Sequence, residues 1–192
     1  MARKYATPFL QKVREEHSGK EIEFWFQDET RYGQKGKIAG IWAPRGTRPT
    51  VLAHGGFKNA YIFGSVSPIT GKYVGTIFPY CATEEMNIHL EMVSGAVQNN
   101  AHAICILDGA GWHKANTLCV PKNISLLYLP PYSPELNPIE RLWLWLKNRY
   151  LCNTIFKDVK ELLISGEIAW KALSTELVKS ICHTQYVEAI IS

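Results

Sequence analysis

Aspartate is scarce in this chain: only Asp28, Asp108 and Asp158 occur in 192 residues. Acidic residues of either kind are missing altogether between Glu29 and Glu84, the interval that holds Arg31, Lys35, Lys37, Arg45, Arg48, Lys58 and Lys72. The net charge is only +4, so the basic character is local. A local excess of this kind suits a polyanion and gives salt-dependent affinity for phosphates. The alternative is a solvated face whose counter-charges come from distant Glu residues. No apolar run is long enough to span a bilayer, and the opening MARKYATPFLQKV has no signal-peptide core, so a cytoplasmic protein is expected. The five cysteines are odd in number and scattered, without a C-x-x-C pair, which argues for core packing over a disulfide framework or zinc knuckle. No G-x-x-x-x-G-K-[ST] pattern exists, which disfavours a nucleotide-binding loop. A hydrophobic content of 46% and charged content of 20% fit one ordinary globular domain.

What is present is organised around residues 125–151, SLLYLPPYSPELNPIERLWLWLKNRYL. Residues 125–129 form a short apolar run that reads as a buried strand, and Pro130, Pro131, Ser133 and Pro134 then forbid both ladder and helix. Asn137 as cap and Pro138 at the first position predict a helix, with Ile139, Leu142, Trp143, Leu146 and Tyr150 as its apolar stripe. Glu140 falls in the first turn, where it is either a capping-box partner or a functional carboxylate.

Upstream, Thr7 and Pro8 predict the start of a short helix over residues 5–16. Residues 21–28 alternate, placing Ile22, Phe24, Phe26 and Asp28 on one face and Glu23, Trp25, Gln27 and Glu29 on the other. Only one of Asp28 and Glu29 can then join a common site, and Asp28 completes the hydrophobic face. Residues 33–80 read as a meander of short strands, IAGIWA, TVLAHG, AYIFGSVS and KYVGTIFP. A helix is expected over 83–99, with His89 a structural residue, as is His102. Residues 103–108 are a second apolar strand closing on Asp108, and GAGWHK follows it. Trp112, His113 and Lys114 could meet a sugar-phosphate backbone by stacking and charge, or simply pack a tight turn. Asp158 reads as the cap of a later helix. A strand that ends in a carboxylate presents it at the sheet edge where open α/β sheets bind ligands. The element order gives a mixed α/β layer architecture.

WFQDE, ILDGAGWHK and LPPYSPELNPIERLW together closely resemble the catalytic domain of bacterial insertion-sequence transposases of the mariner-like DDE superfamily. The resemblance runs over residues 21–150, and its third motif is the most specific. It implies a ribonuclease-H-like fold, a mixed sheet flanked by helices, with residues 21–192 as catalytic domain and 1–20 as a helix or linker remnant. It also implies Asp28, Asp108 and Glu140 as catalytic residues and metal ligands, with 31 residues between the last two. Gly109 stands where the family often has Asn, and Glu135 where it often has Asp; Glu135 competes for the third position but lies in the proline loop before the helix.

Three carboxylates suit Mg²⁺, which prefers oxygen ligands and which Mn²⁺ can replace. Two such ions about 3.5–4 Å apart serve an in-line phosphodiester displacement. The reaction implied is metal-dependent DNA strand cleavage and strand transfer at transposon ends, with DNA as partner and a homodimer as the active complex. A hydrolysis-only nuclease and a non-catalytic DNA-binding or dimerising fragment are the alternatives. Family members normally carry an N-terminal helix-turn-helix segment for end binding, which is expected to be separate from or fused to this chain. Arg31, Lys35, Lys37, Arg45 and Arg48 join Trp112, His113 and Lys114 as candidate nucleic-acid contacts.

Overall fold

The structure is a computed structural model that describes residues 2–35, 40, 42–48, 50, 55–185, 187 and 188, with side chains from Thr7 onward. Its frame is a five-stranded sheet in the order β3-β2-β1-β4-β5. The strands are β1 (Glu21–Gly33), β2 (Asn59–Val66), β3 (Tyr73–Phe78), β4 (Ala101–Leu107) and β5 (Ile124–Tyr128). β1, β2 and β3 run as an antiparallel meander, whereas β4 and β5 lie parallel to β1. The sheet is therefore mixed, as expected.

The helices are α1 (Ala2–Glu16), α2 (Thr83–Ala96), α3 (Ile139–Leu146), α4 (Val159–Lys171) and α5 (Thr175–Cys182). They divide between the faces according to the alternation of β1. Phe24 and Phe26 pack with Ile104, Ile106, Leu142, Trp143, Trp170 and Val178 under α1, α3, α4 and α5. Trp25 packs with Phe63, Met86, Leu90, Val93 and Cys105 under α2. Covered on both sides, β4 is buried at every position, which is why AHAICIL is an unbroken apolar run apart from its histidine. His102 Nε2 meets the Ser125 hydroxyl at 2.8 Å, while its buried Nδ1 has no hydrogen-bond partner among the described residues. His89 sits between Ser65 and Thr76, and burial holds it neutral with a pKa near 3. Both histidines are structural, as the sequence suggests.

Several boundaries differ from those the sequence predicts. α1 starts at Ala2 and carries Pro8 inside it, not at its entry. β1 continues five residues past Asp28, because pairing with β2 runs on to Gly33↔Asn59 after the apolar alternation has stopped. AYIFGSVS and KYVGTIFP supply β2 and β3, while IAGIWA and TVLAHG fall largely outside the described residues. Lys72, counted with the basic interval, instead bonds the buried carboxylate of Glu23 at 2.8 Å. Asp158 does cap α4, accepting from the Glu161 N–H at 2.8 Å. Among the described residues no helix is long and apolar enough to cross a membrane.

Candidate active site

Three parallel strands, β1, β4 and β5, point their C-terminal ends the same way, and the pairing Phe26↔Ile106 brings Asp28 level with Asp108. The chain leaving β5 turns through the proline loop into α3, which delivers Glu140. All three carboxylates line one concave pocket of about 580 Å³, together with Lys114, Tyr128, Tyr132 and Asn137. Glu135 sits exposed in the short 3₁₀ turn Pro134–Leu136 and does not line the pocket.

Asp28 is held from the α3 side. Gly64 lies opposite it on β2, and a Cβ there would collide with the Trp143 ring, so glycine opens the space that this indole fills. Trp143 is 2% exposed and donates its Nε1–H to Asp28 Oδ2 at 2.8 Å. Burial, reinforced by the charges of Glu29 and Glu140, pushes the Asp28 pKa up to about 7 despite that hydrogen bond. A carboxylate crowded by two others and buried with only neutral donors, the Trp143 indole and the Glu29 backbone, lacks a counter-charge.

Asp108 is the opposite case: the first residue past β4, with its side chain 59% exposed. Its Oδ1 accepts from the Ala110 N–H at 2.9 Å and from His113 Nδ1 at 2.9 Å. The His113 bond leads the causes that hold the Asp108 carboxyl below its usual range. Glu140 stands exposed on the first turn of α3, and its carboxylate makes no bond back to the start of the helix among the described residues. The capping-box reading therefore has no contact to support it. Asn137, expected as a cap, accepts from the Ile139 N–H through Oδ1 at 3.4 Å and also donates Nδ2–H to the Gln27 carbonyl at 2.8 Å, which ties the proline loop to β1 next to Asp28.

The candidate nucleic-acid contacts separate into groups. His113 is corrected: its side chain is fully buried, so it cannot meet a strand from outside. Its Nε2 instead faces Glu29 Oε1 at 3.0 Å. Burial alone would lower its pKa, but the hydrogen bonds to Asp108 and Glu29 and the Glu29 charge prevail and raise it to about 9. Trp112 is half-buried, with its indole N–H enclosed, and packs edge-on against His113 at 5.8 Å. It fits the packed-turn alternative.

Lys114 is exposed on the pocket wall, its Nζ 5.3 Å from the Tyr128 ring. Arg31 and Lys35 line a second groove of about 330 Å³ with Tyr32, Phe57, Asn59 and Lys147, among residues that include no carboxylate. Arg31 lies three residues beyond Asp28 on β1, about 10 Å along the strand. Arg45 and Arg48 are exposed and line neither cavity, and Lys37 lies outside the described residues.

The pocket's acidic donors are all carboxylate oxygens, the kind that Mg²⁺ and Mn²⁺ take, and the unneutralised crowding at Asp28 fits a cation. Among the described residues, however, no three His, Cys, Asp or Glu side chains are gathered tightly enough to enclose an ion. Sequence reasoning misses Glu29 and the polar role of Trp143. Glu29 points to the face opposite Asp28, and Trp143 carries only the signal of a core stripe.

The family model for DDE superfamily endonucleases matches residues 23–163. An uncharacterized protein of Sinorhizobium fredii, y4pE/y4sA, is 48% identical over 114 residues, covering 59% of this chain and 84% of its own. The Mos1 mariner paired-end complex with Mn superposes with a TM-score of 0.65 at 16% identity, covering 99% of this chain and 60% of that one. The catalytic domain of Mos1 mariner transposase gives a TM-score of 0.56 at 14% identity, covering 99% and 90%. The likeness to Mos1 is one of fold, the ribonuclease-H-like sheet and its helices. The chain spans about three fifths of the Mos1 chains in the paired-end complexes.

Proposed function

The chain belongs to the DDE superfamily of endonucleases, and we propose that it is the catalytic domain of a DNA transposase that cleaves and rejoins phosphodiester bonds at transposon ends. The observation that carries this reading is the convergence of Asp28, Asp108 and Glu140 on one pocket from two parallel strands and a helix. These three residues would hold divalent cations, and swinging the exposed Glu140 side chain inward would close the shell. A pair of hard cations, when bound, activates the attacking oxygen and stabilises the leaving one. The Mos1 paired-end complexes with Mn and with Mg support the choice of metal, Mg²⁺ with Mn²⁺ as substitute.

The chain's own part is orientation and charge. Trp143 keeps Asp28 in one rotamer, the Ala110 N–H and His113 keep Asp108 in another, and Asn137 fixes the loop that feeds α3. Lys114 stands where it neutralises a bound phosphate, and Tyr132, fully exposed on the rim, offers a ring for an unstacked base. The Arg31 and Lys35 groove receives the sugar-phosphate backbone flanking the cut. Cleavage by water leaves a 3′-OH, which then attacks target DNA, so no protein nucleophile is needed. Two copies would pair in the active complex and a helix-turn-helix segment would supply end recognition; the Mos1 paired-end complex with left transposon end supports DNA as the partner. The work is done in the cytoplasm, where bacterial DNA is found.

The test is a nicking and strand-joining assay on plasmid and transposon-end DNA with Mg²⁺ or Mn²⁺. Wild type should be active, and Asp28→Asn, Asp108→Asn and Glu140→Gln should each fall to background while remaining folded. Retained metal-dependent cleavage in any of the three would refute that residue's assignment.

A further inference from the structure

We propose that Glu29 and His113 form a positioning bridge that holds Asp108 in the orientation a divalent cation requires, an inference that rests on the metal-dependent reading of the pocket above. Asp108 needs such help. It is the first residue past β4, on a turn flanked by Gly109 and Gly111, and its side chain is mostly exposed. A carboxylate left so free would lose rotamer entropy on binding a cation. The bridge removes that freedom beforehand.

His113 Nδ1 lies 2.9 Å from Asp108 Oδ1 and 3.1 Å from the Asp108 carbonyl oxygen, so one imidazole edge grips both side chain and backbone. Oδ1 also accepts from the Ala110 N–H, which leaves Oδ2 without a donor among the described residues. The other ring nitrogen faces Glu29 Oε1 at 3.0 Å, and Glu29 in turn accepts from Gln27 Nε2 at 2.8 Å. From above, the Tyr128 hydroxyl donates to the His113 carbonyl at 2.6 Å. The imidazole is thus fixed at both nitrogens and through its backbone.

Glu29 reaches Asp108 only because it points away from Asp28. On a strand the two neighbours face opposite sides. Asp28 meets Trp143 on the α3 side, while Glu29 meets the turn that follows β4. One residue of the pair enters the pocket and the other braces the pocket's second carboxylate from behind. Hydrogen-bonded partners of this sort set ligand orientation, and losing one costs about 10- to 100-fold in metal affinity. A merely structural weld of the turn to the sheet would leave metal affinity alone.

The test is titration of Mn²⁺ into metal-stripped protein, followed by electron paramagnetic resonance of the free ion, alongside thermal melts. His113→Phe, which removes both hydrogen bonds and keeps a ring, should bind Mn²⁺ about 10- to 100-fold more weakly. His113→Asn, whose amide reaches Asp108 but not Glu29, should recover part of that loss. Glu29→Gln should weaken binding less than His113→Phe, and with His113→Asn it keeps the test decisive if His113→Phe does not fold. If folded variants bind within about twofold of wild type while Asp108→Asn does not, the bridge is wrong and the pocket's metal reading stands. If wild type holds no Mn²⁺, or Asp108→Asn changes nothing, the metal reading falls and takes the bridge with it.

Discussion

Trp143 Nε1 donates to Asp28 Oδ2 across 2.8 Å, joining the helix that carries Glu140 to the strand that carries the first carboxylate. The bond favours the ionised form of Asp28, against burial and the charges of Glu29 and Glu140. Trp143→Phe should therefore move the Asp28 pKa above its present value of about 7. A hydrogen bond to a charged group contributes about 1.5–3 kcal/mol, so the pH at half-maximal Mn²⁺ binding should rise by roughly 1–2. An unchanged midpoint in Trp143→Phe would mean that the indole only fills space.

The same raised pKa makes Asp28 a cost to the metal-free fold. The folded value, about 7, exceeds the ordinary 3.8, so the folded state binds the proton more tightly. The stabilisation is complete below about pH 4 and is lost as pH rises through 7. His113, raised to about 9, has the same sign in a higher window: its contribution is complete below its ordinary 6.5 and is lost as pH climbs through 9. Asp28→Asn keeps an oxygen for the Trp143 N–H but has no charge to bury. It should be more stable than wild type at pH 8 by as much as roughly 4 kcal/mol, and should converge with it near pH 4. Urea denaturation of metal-free protein at the two pH values measures this; equal stability at pH 8 would contradict it.

Gly64 makes a packing prediction. A Cβ at this position would overlap the Trp143 ring and stand 2.9 Å from Trp170 Cη2. Gly64→Ala should destabilise the fold by about 1–3 kcal/mol and, by displacing the indole, weaken Mn²⁺ binding as well. Gly95, near the end of α2, is the control, because an added methyl there would meet nothing within 4 Å. Gly95→Ala should stabilise by about 0.4–1 kcal/mol. Equal effects at the two sites in denaturant melts would reject the steric argument.

The Arg31 and Lys35 groove predicts a salt signature. Removing one phosphate-binding cation should make the plot of log affinity against log salt shallower by about 0.9 on duplex DNA. Arg31→Gln and Lys35→Gln, measured by fluorescence anisotropy at several salt concentrations, should each show this, and an unchanged slope in both would exclude the groove from the DNA path. Lys72→Gln is a poor probe, because Lys72 already pairs with Glu23 inside the fold.

The three carboxylates were legible because each stands at a boundary that local rules detect. Asp28 and Asp108 close apolar runs, and Glu140 follows a proline stop and a helix start. The last five residues of β1 were not legible, since Glu29–Gly33 has no alternation and its strand character comes from pairing with β2. The start of α1 is misplaced for a related reason: Pro8 carries an entry signal wherever it stands in a helix. His113 misleads most. Beside Trp112 and Lys114 it reads as a surface contact, and its partner Glu29 is 84 residues away. Lys72 and Glu23, 49 residues apart, hide in the same way. Local pattern reports where a side chain starts, but partners of this range exist only once the sheet has formed.

Asp28 and Glu29, adjacent on β1, hand the two aspartate positions of the pocket to different halves of the molecule. Changes in the Trp143, Trp170 and Gly64 layer act on Asp28; changes around His113 and Tyr128 act on Asp108. The site has two adjustments, one per face of the sheet, linked through the charge of Glu29 on Asp28. Relatives can thus drift in one helix layer and detune mainly one carboxylate, and compensating substitutions should cluster on a single face, not across the sheet.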